Sequence, residues 1–376
     1  MSVEGETKTG VMEKLRLRVS PAPHVHGHRE TSKVMFIVML ALLFPTAGGI
    51  YYFGLYALFV VLTSVVTAVL TEYVAKMLRK REFVMDYSAV VTGLLFALVL
   101  PPRIPLWAVV IGSAFSIAIV KEAFGGLGHN IFNPALAGRA FMAVTFAGLM
   151  TGWVAPVGGF TADAVTAATP LSEGFAYAGT NSELLKDLFF GNVGGCIGET
   201  SALLILIGGM ILFIPGVIKR VIPIVYIGTV FLFAMLLGED PLFHILAGGL
   251  FLGAFFMATD YVTAPLTTKG QAIFAFGAGV LVVMIRLYGS MPEGVAFSIL
   301  LMNAFTPLID RYVRPKPYGY VPPPKEDKEE EKKEPKKDDE KKPDKTEEKK
   351  SEPKEEKPAE KPASAPEAKT EGGKTE

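Results

Sequence analysis

Cysteine, tryptophan and net charge are what this chain has least of. It carries one Cys and two Trp in 376 residues, and 37 Lys+Arg balance 37 Asp+Glu to a formal charge of zero. A single thiol excludes an intramolecular disulfide framework, a CxxC zinc site and a self-contained four-Cys iron–sulfur cluster. Neutrality gives no electrostatic case for nucleic acid as a partner. A GxGxxG turn is also missing, so the chain encodes no dinucleotide-binding unit of its own. What remains is apolar: 50% of residues are hydrophobic and the mean hydropathy is +0.38. That average mixes two materials, because about half of the charges fall in the last ~60 residues. One globular core cannot hide the long apolar runs that precede them, which excludes an ordinary soluble enzyme.

Residues 1–32 form a polar segment with Lys14, Arg16, Arg18, His24, His26, His28 and Arg29. The alternating histidines read as an exposed basic arm or, at that spacing, as metal ligands. No cleaved signal is expected, since the first apolar run is long enough to stay in a membrane. From residue 33 to 314 come apolar stretches at about 33–53, 55–77, 87–100, 105–123, 135–155, 197–214, 219–237, 241–259, 270–288 and 293–312. Each approaches the ~20 residues that cross a ~30 Å hydrocarbon layer. The expectation is an all-α polytopic membrane protein of about ten transmembrane helices. Five crossings per half would make the two halves inverted repeats, although internal similarity is faint. The third stretch ends at Pro101-Pro102 and the fifth begins at Asn133-Pro134. Such interruptions mark sites, because freed backbone groups must face protein, ligand or water.

Lys and Arg set the expected orientation. The N-terminal cluster, Lys76–Arg81, Lys121, Lys219-Arg220, Lys269 and Arg311/Arg314/Lys316 all fall on one side when crossings are counted from a cytoplasmic N-terminus. Both termini are then cytoplasmic, and the long loop at about 156–196 lies on the outer side of a cell inner membrane. The segment 315–376, and above all its Lys/Glu/Pro-rich part from Lys325, cannot bury enough apolar surface to offset chain entropy. It is expected to be a disordered cytoplasmic tail, either a solvated extension or a docking segment.

Three constellations stand out. The outer loop holds Asp163-Ala164-Val165-Thr166-Ala167-Ala168-Thr169-Pro170. There a sterically open hydroxyl lies near a carboxylate, which suits a threonine modified at a phosphate but equally suits an ordinary loop. Asn130 and Asn133 in Gly128-His129-Asn130-Ile131-Phe132-Asn133-Pro134 are three apart, so a helical turn would aim both amides one way. They read either as a flavin edge-binding pair beside Phe132 or as caps of a re-entrant turn. Asp260, Glu199, Asp86, Arg139 and Arg286 are charged at membrane depth, where groups pair or serve a pathway. Asp260 with Thr259 and Thr263 offers hard oxygens for a cation such as Na+, with interfacial pairing as the ordinary alternative. Cys196 reads as a small buried residue or as a ligand to a cluster shared with a partner.

The loop pattern D-x-x-[ST]-x-A-T resembles the signal read by flavin transferases, which move FMN from FAD onto the last Thr. The surrounding chain resembles the RnfD/NqrB family, membrane subunits of the Rnf complex and of the sodium-pumping NADH:quinone reductase. Matching stretches are Asp86–Leu95, Leu100-Pro101-Pro102, Gly125–Ala135, Gly198-Glu199-Thr200-Ser201, Gly253–Asp260 and Pro292–Val295, in order across about residues 15–314. The short N-terminal segment favours the RnfD branch. Ala164 and Thr166 stand where many relatives carry Gly and Ser. The resemblance implies covalent FMN on Thr169, with Asp163, Thr166 and Ala168 as its recognition signal. It also implies a second, noncovalent flavin or riboflavin near Asn130, Asn133 and Pro134, with Arg139 as a further cofactor-binding candidate. It implies electron relay between ferredoxin and NAD coupled to Na+ or H+ movement. The implied partners are iron–sulfur, NAD-handling and second flavin subunits, and a flavin transferase for maturation. The rival that the same features allow is a secondary transporter or channel without a redox role.

Overall fold

A computed structural model of the chain describes residues 31–81, 83–156, 168–171, 179–289 and 294–314. The histidine-bearing arm, Asp163, Thr166 and the charged tail lie outside these residues. Among the described residues the fold is helical, with no strand. In chain order the helices are α1 (Thr31–Phe53), α2 (Leu55–Leu78), α3 (Ser88–Leu98), α4 (Leu106–Phe115), α5 (Pro134–Thr145), α6 (Ala147–Met150), α7 (Asn181–Phe190), α8 (Ala202–Phe213), α9 (Val221–Leu236), α10 (Pro241–Leu246), α11 (Leu250–Leu252), α12 (Thr268–Tyr288) and α13 (Val295–Tyr312). Two π-helical turns extend this set, Ser116–Glu122 after α4 and Gly253–Met257 after α11.

Three of these helices, α1, α2 and α12, are long and apolar enough to cross a membrane. Helix α2 is built inside out relative to a soluble helix. Phe59, Leu62, Val66 and Leu70 are exposed along one stripe, while Ala57, Val60, Ser64 and Ala68 are buried on the other. A continuous exposed apolar stripe suits lipid rather than water. The small residues inside let neighbours approach: Ser64 Oγ donates to Gly93 O at 2.7 Å, and Ser113 Oγ donates to Ser64 O at 2.8 Å. Helix α2 packs on α3 and α4, α12 packs on α9 and α13, and α1 packs on α3 and α8.

The remaining apolar stretches carry helix over only part of their length. The stretch 241–259 is broken at Ala247–Gly249 into α10, α11 and a π turn. Both Gly248 and Gly249 sit at left-handed φ (67° and 66°), which no continuing helix adopts. The stretch 197–214 becomes helical only at Ala202, and α5 ends at Thr145, well short of residue 155. Hydropathy registers apolar length, whereas helix start and stop depend on capping and on what the freed backbone meets. The lead-in to α8 shows the latter. Ile197 N donates to Leu100 O at 3.1 Å, Gly198 N to Leu98 O at 2.7 Å, and the Cys196 thiol to Val99 O at 3.3 Å. Three consecutive carbonyls freed at the end of α3 are thus satisfied by a chain segment that is itself not helical. Cys196 is fully buried there, in keeping with a small packing residue.

Helices α1 and α8 meet through glycine. A methyl added at Gly49 would lie 2.5 Å from Ile197 O, and one at Gly208 would run into Ala41 O. Backbone cannot yield as a flexible side chain does, so Gly49→Ala is expected to cost about 1–3 kcal/mol of stability. Thermal unfolding of the detergent-solubilised protein checks this; a midpoint unchanged from wild type would contradict the packing described.

Candidate functional site

A cavity partly open to its surroundings collects much of the polar material that the apolar pattern left unexplained. Its walls are the first turns of α1 (Val34, Met35, Val38), the start of α3 (Ser88, Val91, Thr92), Lys121, Asn130, Asn133, Pro134 and the stretch Thr259–Val262. Asn130, Asn133, Pro134 and Asp260 therefore face one space, although Asp260 is more than 120 positions away in the chain.

Asn133 organises this space. It is the N-cap of α5, with Oδ1 accepting from Ala135 N (3.1 Å) and Leu136 N (3.3 Å), and Pro134 takes the first helical position. Its Nδ2 donates to Met257 O at 3.2 Å, tying α5 to the π turn that ends the broken stretch. The Asn303 side-chain oxygen on α13 accepts from Asn133 N at 3.2 Å once that amide is oriented to satisfy both its ends. Asn130 turns inward on its own loop, donating from Nδ2 to Phe132 O at 3.1 Å. The expected helical turn is absent here. Residues 130–133 are irregular, and the two amides reach the same cavity through loop geometry rather than through helical spacing. Both asparagines also satisfy backbone, as caps of a re-entrant turn do.

Lys121 was legible only as a loop cation marking the cytoplasmic side. In the structure it is 2% exposed and lines the cavity. Its Nζ donates to Glu72 Oε1 (3.1 Å) and to Ser88 Oγ (2.6 Å). Glu72 Oε1 is shared with Lys76 at 2.8 Å. Sequence reasoning missed Glu72 altogether. The available signal was a carboxylate one turn inside an apolar helix, which lipid does not tolerate alone.

Asp260 accepts from Val262 N and from the Thr263 hydroxyl, each at 3.3 Å. Thr259 lines the cavity beside Asp260, and its hydroxyl donates back to Phe255 O at 2.7 Å, inside the preceding turn. Among the described residues no group of three His, Cys, Asp or Glu side chains converges on a metal position.

Thr169 lies elsewhere. It is 4% exposed and lines a smaller pocket with Pro170, Leu171, Gly194, Gly195, Glu199 and Gly248. Ala168 beside it is exposed. Glu199 pairs with Arg139 at 3.4 Å, which gives Arg139 a structural partner and places it on the wall of neither cavity. Arg286 donates to the carbonyls of His244, Ala247 (2.8 Å) and Gly248 (3.3 Å), capping the broken end of α10. Arg286 thus answers to carbonyls the break exposes, and Arg139 to a carboxylate. The helix α7 in this region was not foreseen. Its signal was Thr180-Asn181-Ser182-Glu183, a capping box in which Thr180 N donates to Glu183 Oε2 at 2.9 Å.

Helix α1 fixes the relation between the two spaces. Its first turns line the Asn133 cavity, whereas Tyr52 near its end donates to Phe190 O at 2.6 Å, beside the Thr169 pocket. From Met35 to Tyr52 the helix rises about 25 Å. The two sites also approach each other through α5, whose Arg139, six residues past Asn133, pairs with Glu199 on the wall of the Thr169 pocket.

Compared with known proteins, residues 18–319 match the NQR2, RnfD, RnfE family. The chain is 48% identical over 323 residues to the D-type subunit of the Na(+)-translocating ferredoxin:NAD(+) oxidoreductase complex of Acetobacterium woodii, a match that covers 84% of this chain and 100% of that protein. It is 46% identical over 317 residues to the D-type subunit of the proton-translocating ferredoxin:NAD(+) oxidoreductase complex of Clostridium ljungdahlii, covering 80% and 96%. It is 40% identical over 324 residues to the D-type subunit of the ion-translocating oxidoreductase complex of Stutzerimonas stutzeri, covering 76% and 92%. The chain belongs to the NQR2, RnfD, RnfE family.

Asn133 gives this geometry a direct test. Removing the cap costs about 1 kcal/mol, and leaving Met257 O without its donor adds about 1–3 kcal/mol. Asn133→Ser keeps a capping hydroxyl but does not reach Met257. Thermal unfolding is expected to rank wild type above Asn133→Ser above Asn133→Ala. Equal midpoints for wild type and Asn133→Ser would show that the cross-element bond contributes nothing.

Proposed function

From its membership of the NQR2, RnfD, RnfE family, we propose that this chain is the D-type membrane subunit of an Rnf complex. In this reading it relays electrons between ferredoxin and NAD, coupled to movement of Na+ or H+. The observation that carries the reading is the match to subunits so named over at least 76% of this chain. That match favours a redox role over a transporter without one. Relatives of nearly equal identity are named for different ions, so the ion is set by local residues rather than by overall similarity.

The proposal places about ten crossings in a cell inner membrane, with both termini cytoplasmic and the Thr169 loop outside. The Lys and Arg distribution supports that orientation. Two five-segment halves are supported by packing. Segments one and six meet as α1 on α8, and segments five and ten as α5 on α13. Within each half the second segment packs on the fourth, as α2 on α4 and α9 on α12.

Two flavin sites are part of the reading, FMN esterified to Thr169 and a noncovalent flavin or riboflavin in the Asn133 cavity. The cavity fits the second group by the chemistry of its walls. Val34, Val38, Val91 and Phe256 offer an apolar surface for a broad ring. Asn130, Asn133, Thr92 and Lys121 supply donors and acceptors for its polar edge. Bound flavin supplies the one- and two-electron steps that no side chain of this protein can. The residues hold the site in shape: Asn133 locks α5 to the π turn, and Lys121 keeps a positive charge on one wall. At the other end the Thr169 hydroxyl faces a small pocket rather than solvent. Esterification by a transferase therefore takes place with residues 168–171 swung clear, and Glu199, neutralised by Arg139, adds little repulsion toward a phosphate there. Iron–sulfur and NAD chemistry falls to partner subunits, since this chain has one Cys.

Co-expression with a flavin transferase tests both sites. Wild type is expected to give a fluorescent band on a denaturing gel, and Thr169→Ala is expected to abolish it. The double variant Asn130→Ala/Asn133→Ala is expected to keep the band while losing most acid-extractable flavin. A dark wild-type band, or extractable flavin that the double variant leaves untouched, would contradict the corresponding assignment.

A further inference from the structure

Resting on the reading that the Asn133 cavity holds a flavin, we propose that Lys121, Ser88 and Asp86 form a proton path between that cavity and the loop at residues 83–86. Lys121 Nζ donates to Ser88 Oγ at 2.6 Å, and Ser88 Oγ donates to Asp86 Oδ1 at 2.5 Å. The donor directions are dictated by chemistry, because an ammonium only donates and a carboxylate only accepts. Lys121 and Ser88 both line the cavity and are 2% and 4% exposed. Asp86 is half-buried and follows Phe83, Val84 and Met85, which are all exposed. The chain of bonds therefore starts on the cavity wall and ends beside an exposed loop.

Two local distortions build it. Lys121 sits in the seven-residue π turn Ser116–Glu122, an insertion that re-aims side chains and recurs at functional positions. Tyr87, between the two acceptors, is a non-glycine residue at left-handed φ of 63°. That conformation folds the Asp86 carboxylate back onto both the amide and the hydroxyl of Ser88, at 3.0 and 2.5 Å. Backbone strain of this kind persists where the surroundings over-determine it. A lysine needed only as a counter-ion to Glu72 requires neither feature.

The step balances without a further reactant. Were a flavin reduced in the cavity, Lys121 would supply the proton it takes up, an N–H bond of the ammonium breaking as that proton leaves. The amine so left would regain a proton from the Ser88 hydroxyl, and Ser88 would regain one through Asp86, whose carboxylate first takes that proton from water at the loop. On oxidation the same protons run outward, the direction in which the bonds already point; for uptake the Ser88 hydroxyl turns over. Glu72 and Lys76 on α2, Glu122 on the π turn and Asp260 across the cavity are the other charges facing this path. Glu72, shared by Lys76 and Lys121, holds the ammonium in place as its proton changes hands.

The test uses the assembled complex. Chemical reduction of its flavins in weakly buffered solution with a pH indicator reads proton uptake, alongside the flavin absorbance. Ser88→Ala, which breaks the chain, is expected to slow uptake at the cavity flavin on the order of 100-fold. It is also expected to abolish the solvent isotope effect on that uptake, with each rate expressed per flavin that the variant retains. Ser88→Thr, which restores a hydroxyl, is expected to recover the rate, and Asp86→Asn to match Ser88→Ala. A purely structural role would instead lower flavin content or stability in every variant without a selective loss of the isotope effect, and would overturn the path. Flavin present at full content with wild-type uptake in Ser88→Ala also overturns it. A wild-type complex whose extractable flavin does not depend on Asn130 and Asn133 removes the cavity reading, and the path falls with it.

Discussion

Lipid offers no hydrogen bonds, so each backbone group freed by a broken helix must be met by another part of the protein. Much of this structure follows from that constraint at two junctions. At one, the carbonyls of Leu98, Val99 and Leu100 are met by the thiol and amides of Cys196, Ile197 and Gly198. At the other, the Asn133 side chain caps α5 and donates to Met257 O, while α13 reaches in through Asn303. Each of these two junctions ties a break in the first half of the chain to a segment from the second.

The breaks also decide where polar chemistry can live. Non-helical backbone at membrane depth is tolerated where it lines protein or a cavity, and the cavity beside Asn133 is such a place. It draws Lys121, Ser88, Asn130 and Asp260 to one wall system that an unbroken bundle would have filled with aliphatic side chains. The charges nearby are matched rather than isolated. Glu72 serves Lys76 and Lys121, Glu199 serves Arg139, and Arg286 serves the carbonyls at the end of α10. Helix α5 links the two spaces, with Asn133 at its start on the cavity and Arg139 paired to Glu199 beside Thr169.

The sequence was informative where a residue's own chemistry dictates its surroundings. Asn133-Pro134 announced a helix start, and the structure has Pro134 opening α5. Cys196 read most simply as a packing residue and is buried as one. The apolar stretches told where helix would lie but not where it would stop, because stopping depends on partners distant in the chain. Nothing local says that Ile197 will find Leu100, or that Gly248 and Gly249 will turn left-handed over Arg286 and Glu199. Lys121 was misread for the same reason: a lysine at the end of an apolar run reads as a loop marker unless its carboxylate, 49 positions earlier, is known to face it. The motif around Thr169 was recognisable from resemblance, and geometry adds that its hydroxyl is enclosed rather than presented.

The central claim is that this protein carries flavin covalently on Thr169. The most direct measurement is the intact mass of the chain purified from cells that contain the flavin transferase, with the modified residue located by fragmentation. The account predicts a chain heavier by one esterified FMN, with the added mass confined to Thr169. A chain at the bare polypeptide mass, or one modified at another residue, would contradict it.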